Sequence, residues 1–143
     1  MLTFDLPSGI LGMNCLVSIG KNMIVMISGS RSIRRLNNQV TTTLNKIMQL
    51  DFEIVIGDCY GIDTLVQHYL KSCNYQKVTV YHIGTCPRNN YGFKTHKIQG
   101  NYYSNKDIAM CKIANYGLAI WDGKSKGTQN NITRIEKTKI IMS

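Results

Sequence analysis

A chain of 143 residues has the length of one domain with a continuous hydrophobic core and no room for a second core of similar size. Lys and Arg outnumber Asp and Glu by 17 to 8, a formal charge of +9 that favours anionic partners such as nucleotides, nucleic acid or acidic lipid. Hydrophobic residues make up 43% of the chain, yet no apolar run approaches the roughly 18 to 20 residues of a spanning helix, so a soluble protein with no membrane partner is expected.

Residues 1–22, "MLTFDLPSGILGMNCLVSIGKN", hold a short apolar stretch with no basic residue before Lys21, unlike a secretory signal, and the expected location is the cytoplasm. They read as an N-terminal extension of unknown role ahead of a core domain spanning 23–143. "MIVMIS", residues 23–28, is a continuous apolar run closed by Gly29, as in a strand buried on both faces. Ile33, Leu36, Val40, Leu44 and Ile47 then recur at three- and four-residue spacing, which predicts an amphipathic helix with Ser32 at its cap. "FEIVIG" predicts a second strand, and "IDTLVQHYLKSC" a helix with Leu65, Val66, Tyr69 and Leu70 as its buried stripe.

"KVTVYHIG" predicts a third strand. The stretch from Thr85 to Ser104 reads as a long loop with the character of a functional lid. Around it, Arg88, Lys94, Lys97 and Lys106 occur without an acid between residues 84 and 106. "NKDIAMCKIANY" predicts a helix, "GLAIWDG" a strand, "GTQNNITRIEKT" a helix and "KIIM" a last short strand. Such alternation implies an α/β, three-layer Rossmann-like domain with a mainly parallel, about five-stranded sheet. The carboxyl ends of the strands, marked by Gly29, Gly57, Gly84 and Gly123, are where a ligand crevice is expected.

Three segments at that edge carry candidate chemistry. In "SGSRS", Gly29 permits a steep turn, Ser30 offers a hydroxyl and Arg31 a fork of donors for a phosphate, although an exposed Arg after a Gly-Ser turn is also ordinary in α/β proteins. In "GDCYGID", Gly57 and Gly61 allow close backbone approach, and Asp63 either caps the helix or accepts a ribose hydroxyl. In "WDGKSKGT", Asp122 and Gly123 lead into Lys124, Ser125, Lys126, Gly127 and Thr128. The order is not that of a Walker motif, but it is a Gly-rich turn into a helix N-terminus, suited to phosphate unless it is a plain turn.

"ISGSRSI", "IVIGDCYGIDTLVQHYL", "NKDIAMCKIANYGLAIWDG" and "GTQNN", in this order, resemble the SLOG superfamily of Rossmann-like nucleotide-binding domains over roughly residues 23–142. The closest likeness is to small stand-alone bacterial or phage members. The superfamily also includes Lonely-Guy phosphoribohydrolases and the DNA-processing protein A family. The resemblance implies a nucleotide or nucleotide-derived ligand and a homodimer; no cofactor is expected. It departs from the phosphoribohydrolases at the chemistry: Lys106 and Asp107 precede Met110 in place of an Arg-Lys pair, and Asn131 stands where their "GGxGTxxE" turn ends in Glu. Asn cannot exchange a proton as a carboxylate does, whereas hydrogen bonding to a sugar survives.

The expected function is therefore sensing or sequestration of a nucleotide, with Asp63, Lys106 and Asn131 facing the sugar. Two alternatives stay open. N-glycosidic hydrolysis of a nucleoside monophosphate would use Asp107, or else Asp122, as the catalytic carboxylate. Single-stranded nucleic-acid binding would use the interleaved aromatic and basic residues of "RNNYGFKTHKIQGNYYSNK". His68 and His82 read as packed or surface residues, and His96 has no evident partner. Trp121 reads as core, and Tyr102 and Tyr103 either close over a base or contact a second copy. Cysteines at 15, 59, 73, 86 and 111 are odd in number and lack metal-site spacing, so reduced thiols and no metal are expected.

Overall fold

A computed structural model of the protein describes residues 23–143. The expected N-terminal extension, residues 1–22, lies outside the described residues. Six strands, β1 (Ile24–Gly29), β2 (Glu53–Ile56), β3 (Val78–His82), β4 (Lys94–Lys97), β5 (Tyr116–Trp121) and β6 (Thr138–Met142), form one sheet in the order β4-β3-β2-β1-β5-β6. Every pairing is parallel. Four helices connect them: α1 (Asn38–Gln49), α2 (Ile62–Ser72), α3 (Ser104–Ile113) and α4 (Lys126–Arg134).

Alternation within the strands builds the layers. Val25 and Ile27, Ile54 and Ile56, Val78 and Val80, and Leu118 and Ile120 pack in one core with Val40, Leu44 and Ile47 of α1 and Ile62, Val66 and Leu70 of α2. The intervening residues Met26, Val55 and Tyr81 join Met110 of α3 and Ile135 on the opposite face. Burying both faces is what a parallel strand requires, and it explains why the strands read as unbroken apolar runs. The result is a three-layer α/β Rossmann-like domain.

The structure departs from the sequence expectations in three places. Within the expected loop from Thr85 to Ser104, Lys94–Lys97 pairs with Thr79–His82 as a sixth strand. All four of its residues are exposed, so "KTHK" carries no apolar pattern to announce it. The first helix begins at Asn38, with the Asn37 side chain accepting from Val40 N at 2.9 Å, and Ser32 is not its cap. Ile33 is buried all the same, which is why its spacing looked helical. On α2, Ile62, Asp63 and Gln67 are buried with Val66 and Leu70, while Leu65 and Tyr69 are only partly covered.

β1 lies between β2, reached through α1, and β5, reached from the far edge through α3. The strand order reverses here, so the connections leaving the carboxyl ends of β1 and β5 diverge and open a crevice between them.

Candidate functional site

A cavity of about 420 Å³ occupies that crevice. It is of the size usual for small-molecule sites. Residues from every neighbouring element line it: Met26, Ile27, Ser28 and Gly29 of β1, Arg31 and Ser32 after it, and Gly57, Cys59 and Asp63 beyond β2. Lys106, Asp107 and Met110 of α3 complete the walls, with Asp122, Ser125, Lys126, Gly127, Thr128 and Asn131 around the start of α4. Of the residues singled out in the sequence, Ser30, Gly61, Gly123 and Lys124 do not line it.

Those four shape the turns beside the cavity. The Ser30 hydroxyl is fully buried and accepts from Asp122 N at 2.9 Å, tying the end of β1 to the end of β5. Gly61, at φ +82°, lies so close to Arg31 that a Cβ would sit 2.5 Å from the Arg31 Cα. Gly123, at φ +80°, supplies the left-handed step of the last turn, and Lys124 N donates to Asp122 Oδ1 at 2.8 Å.

The turn before α4 is organised by Asp122. Its Oδ1 accepts from Lys124 N, from Ser125 N at 2.9 Å and from the Ser125 hydroxyl at 2.9 Å, and its Oδ2 accepts from the Ser32 hydroxyl at 2.7 Å. The Ser32 hydroxyl, with the Ser125 and Lys124 amides, holds this carboxyl far below the usual range, so it is a fixed anion and no proton carrier. Trp121, half-buried and not core, donates its indole N–H to Ser125 O at 3.0 Å and clamps the same turn. Ser125 precedes the helix without a side-chain cap, and the amides of Lys126, Gly127 and Thr128 meet no acceptor among the described residues. Nothing stands within 4 Å of where a Gly127 Cβ would be.

Across the cavity the polar groups are side chains. Lys106 is 3% exposed, and its Nζ donates to Asp107 Oδ1 at 3.0 Å, leaving two donors without partners among the described residues. Burial opposes its charge, but Asp107, Cys59 and Asp63 outweigh burial and hold the ammonium above the ordinary lysine value. Asp63 is 7% exposed. Its Oδ2 accepts from Cys59 N at 3.0 Å and does not cap α2, and its Oδ1 has no partner among the described residues. Burial raises Asp63 to about 7, against the pull of Lys106 and the Cys59 amide. A Cβ on Gly57 would lie 2.7 Å from Asp63 Oδ2 and 2.9 Å from Lys106 Nζ, so glycine there lets both groups converge.

Asn131 is 4% exposed and already oriented. Its Oδ1 accepts from Arg134 Nη1 at 2.9 Å, which turns its amide nitrogen toward Asp107 Oδ2 at 3.3 Å. Asp107 is thus held by Lys106 on one oxygen and Asn131 on the other. Thr128, 4% exposed, lines the cavity with a hydroxyl that has no partner among the described residues.

An ion pair missed by sequence reasoning, with its carboxylate buried, supports this wall. Asp58, 2% exposed, receives Arg88 Nη2 at 2.8 Å and Arg88 N at 2.9 Å. Burial works against the Asp58 charge, but the hydrogen bonds and charge of Arg88 prevail and lower its pKa. Gln67, fully buried on α2, donates to Gly57 O at 3.0 Å and Asn89 O at 3.3 Å and accepts from Tyr91 N, so the loop after β3 is tied down at several points. The acid-free stretch from 84 to 106 is therefore not a row of equivalent cations. Arg88 and Lys106 are paired inward, and Lys94 and Lys97 are exposed on the edge strand.

The histidines lie outside the cavity lining. His82 is buried with its Nδ1 at 2.8 Å from Gly84 O, His68 packs edge-on against Tyr91, and His96 tilts against Tyr81. No helix among the described residues is long and apolar enough to cross a membrane. No family model, curated protein or solved structure matches the chain.

Proposed function

We propose that the protein is a SLOG-type domain that binds a nucleotide or nucleotide-derived small molecule in this cavity, as a sensor or a sequestering protein. One observation carries the reading: Lys126, Gly127 and Thr128, whose amides meet no acceptor among the described residues, and the buried Lys106, with one acceptor for three donors there, line one cavity at the strand-order reversal. Unpaired amides at a helix N-terminus suit a phosphate. Lys126 and Arg31 add positive charge at the rim. Asp63 Oδ1 is an acceptor suited to a sugar hydroxyl, while Met26 and Met110 supply apolar floor.

The Asn131 amide, directed at Asp107, supports binding over turnover, because the two carboxylates nearest α4 are both engaged by donors. The test is to incubate the purified protein with nucleoside monophosphates, NAD and ADP-ribose and to separate bound from free species by chromatography with mass detection. An intact ligand retained is the expected result. Release of a free base would instead establish N-glycosidic hydrolysis, and Asp107→Asn should then abolish it.

A second reading rests on the exposed Lys94 and Lys97 of β4, an uncovered cationic edge suited to the backbone of single-stranded nucleic acid. It predicts affinity that rises with oligonucleotide length and falls steeply with salt. Retention of no mononucleotide, with such length-dependent binding, would favour it. A homodimer, the arrangement common among the resembled proteins, is part of the first proposal and is checked by light scattering.

A further inference from the structure

We infer that Asp63 and Lys106 together hold one ribose hydroxyl of the ligand, so that the cavity takes ribonucleotides in preference to their deoxy analogues. The inference rests on the nucleotide reading above and narrows it to a class of sugar.

The two groups form a seat for a single oxygen atom. The Asp63 carboxylate and the Lys106 ammonium converge over Gly57, where the position of an added Cβ lies 2.7 Å from Asp63 Oδ2 and 2.9 Å from Lys106 Nζ. They form no ion pair with each other, and Lys106 pairs with Asp107 instead. Both residues line the cavity. An oxygen at an ordinary hydrogen-bond distance of about 2.8 Å can reach both.

The chemistry of that oxygen follows from its two neighbours. Lys106 Nζ can only donate, and two of its donors have no acceptor among the described residues. Ionised Asp63 can only accept. Its Oδ2 is taken by Cys59 N, and its Oδ1 has no donor among the described residues. Among those residues Arg88 Nε is the one side-chain nitrogen or oxygen that is both buried and unpartnered, so Asp63 Oδ1 keeps access to the cavity. A hydroxyl accepts from Lys106 and donates to Asp63. A phosphate oxygen only accepts, and it would bring like charge against the Asp63 carboxylate.

The seat is complete only when Asp63 is ionised. Burial raises its carboxyl to about 7; Lys106 and the Cys59 amide pull it down, and Asp107 and Asp58 push it up. Asp58 is paired with Arg88, burial pushes the Cys59 thiol up, and Arg31, Asp122 and Lys126 share the cavity lining. In acid the proton goes to Oδ1, because Oδ2 faces the Cys59 amide, and the ligand hydroxyl loses its acceptor.

The test measures Kd for AMP and for its 2′-deoxy and 3′-deoxy forms at about pH 5 and about pH 8.5. It uses the wild-type protein and Asp63→Asn, whose amide nitrogen offers a donor where the protonated acid does. The phosphate is common to the three nucleotides, so its own titration cancels in their ratios. The expected result is that one deoxy form binds roughly tenfold more weakly than AMP at the higher pH. That deficit should fall below about threefold at the lower pH, and in Asp63→Asn at both. No deficit for either deoxy form, or one that survives low pH or Asp63→Asn, overturns the inference and leaves the cavity reading intact. If the wild-type protein binds none of the three nucleotides, the cavity reading fails and this inference fails with it.

Discussion

The two sides of the cavity reach the same end by opposite means. Beyond β5, the turn from Asp122 to Ser125 commits its carboxylate to four donors and leaves the backbone amides of the next three residues unpaired among the described residues. Beyond β2, the backbone is tied down by Gln67 and Asp58, and the unpaired capacity belongs to buried side chains, Asp63 and Lys106. Backbone donors have a fixed position and charge, which suits a phosphate of any nucleotide. Buried side chains titrate and can be replaced, so that side is where discrimination and pH dependence are expected.

The comparison breaks most visibly at Arg88. Arg88→Ala leaves Asp58 buried without its counter-charge and should cost about 3 kcal/mol in urea unfolding, the low end for such a loss because a quarter of the Arg88 side chain meets water. A loss below about 1 kcal/mol would mean that the β2 side does not depend on this pair. Two glycines give the next contrast. At Gly29 a Cβ would lie 2.5 Å from the Cβ of Ile62, so Gly29→Ala should destabilise by about 1 to 3 kcal/mol. Gly127→Ala meets open space and should stay within about 0.5 kcal/mol of wild type while weakening nucleotide binding. Similar stability losses at both positions would contradict the open ground over α4.

Asp63 sharpens the comparison through pH. Its carboxyl is raised to about 7 in the folded protein from an ordinary value of 3.8, chiefly by burial. The native state therefore holds a proton that the unfolded chain releases, so the stability it contributes is complete below pH 4 and is lost as pH rises through about 7. Asp63→Asn keeps an acceptor for the Cys59 amide and removes the titration. The variant should match wild type near pH 4 and melt at least about 4 °C higher at pH 8. Parallel melting curves across that range would show that Asp63 is not protonated near neutrality. The smallest effect is expected from Lys94→Glu with Lys97→Glu, which should change nucleotide affinity by less than about twofold and abolish any oligonucleotide binding, since these residues face solvent on β4.

Much of the architecture was legible because parallel strands buried on both faces leave apolar runs, and Gly29 and Gly57 mark the strand ends where the cavity forms. β4 was not legible, because an exposed edge strand of Lys, Thr and His has no hydrophobic period. Gly127 and Thr128 stood out by their turn chemistry and Lys106 and Asn131 by the family resemblance, and all four line the cavity. Ser30, Gly61, Gly123 and Lys124 share those signals but lie outside the cavity lining, a distinction that depends on which way a side chain or amide points. The Asp58–Arg88 pair was missed for a different reason: its partners lie 30 residues apart, and only the packing of the loop after β3 against the end of β2 brings them together. One sequence signal existed, an acid directly after the β2 glycine facing a stretch of unopposed cations.

The most direct test of the central claim is a two-dimensional amide NMR titration of the wild-type protein with AMP. The account predicts saturable shifts that are largest at the amides of Lys126, Gly127 and Thr128. Shifts confined to Lys94–Lys97, or none that saturate, would contradict it.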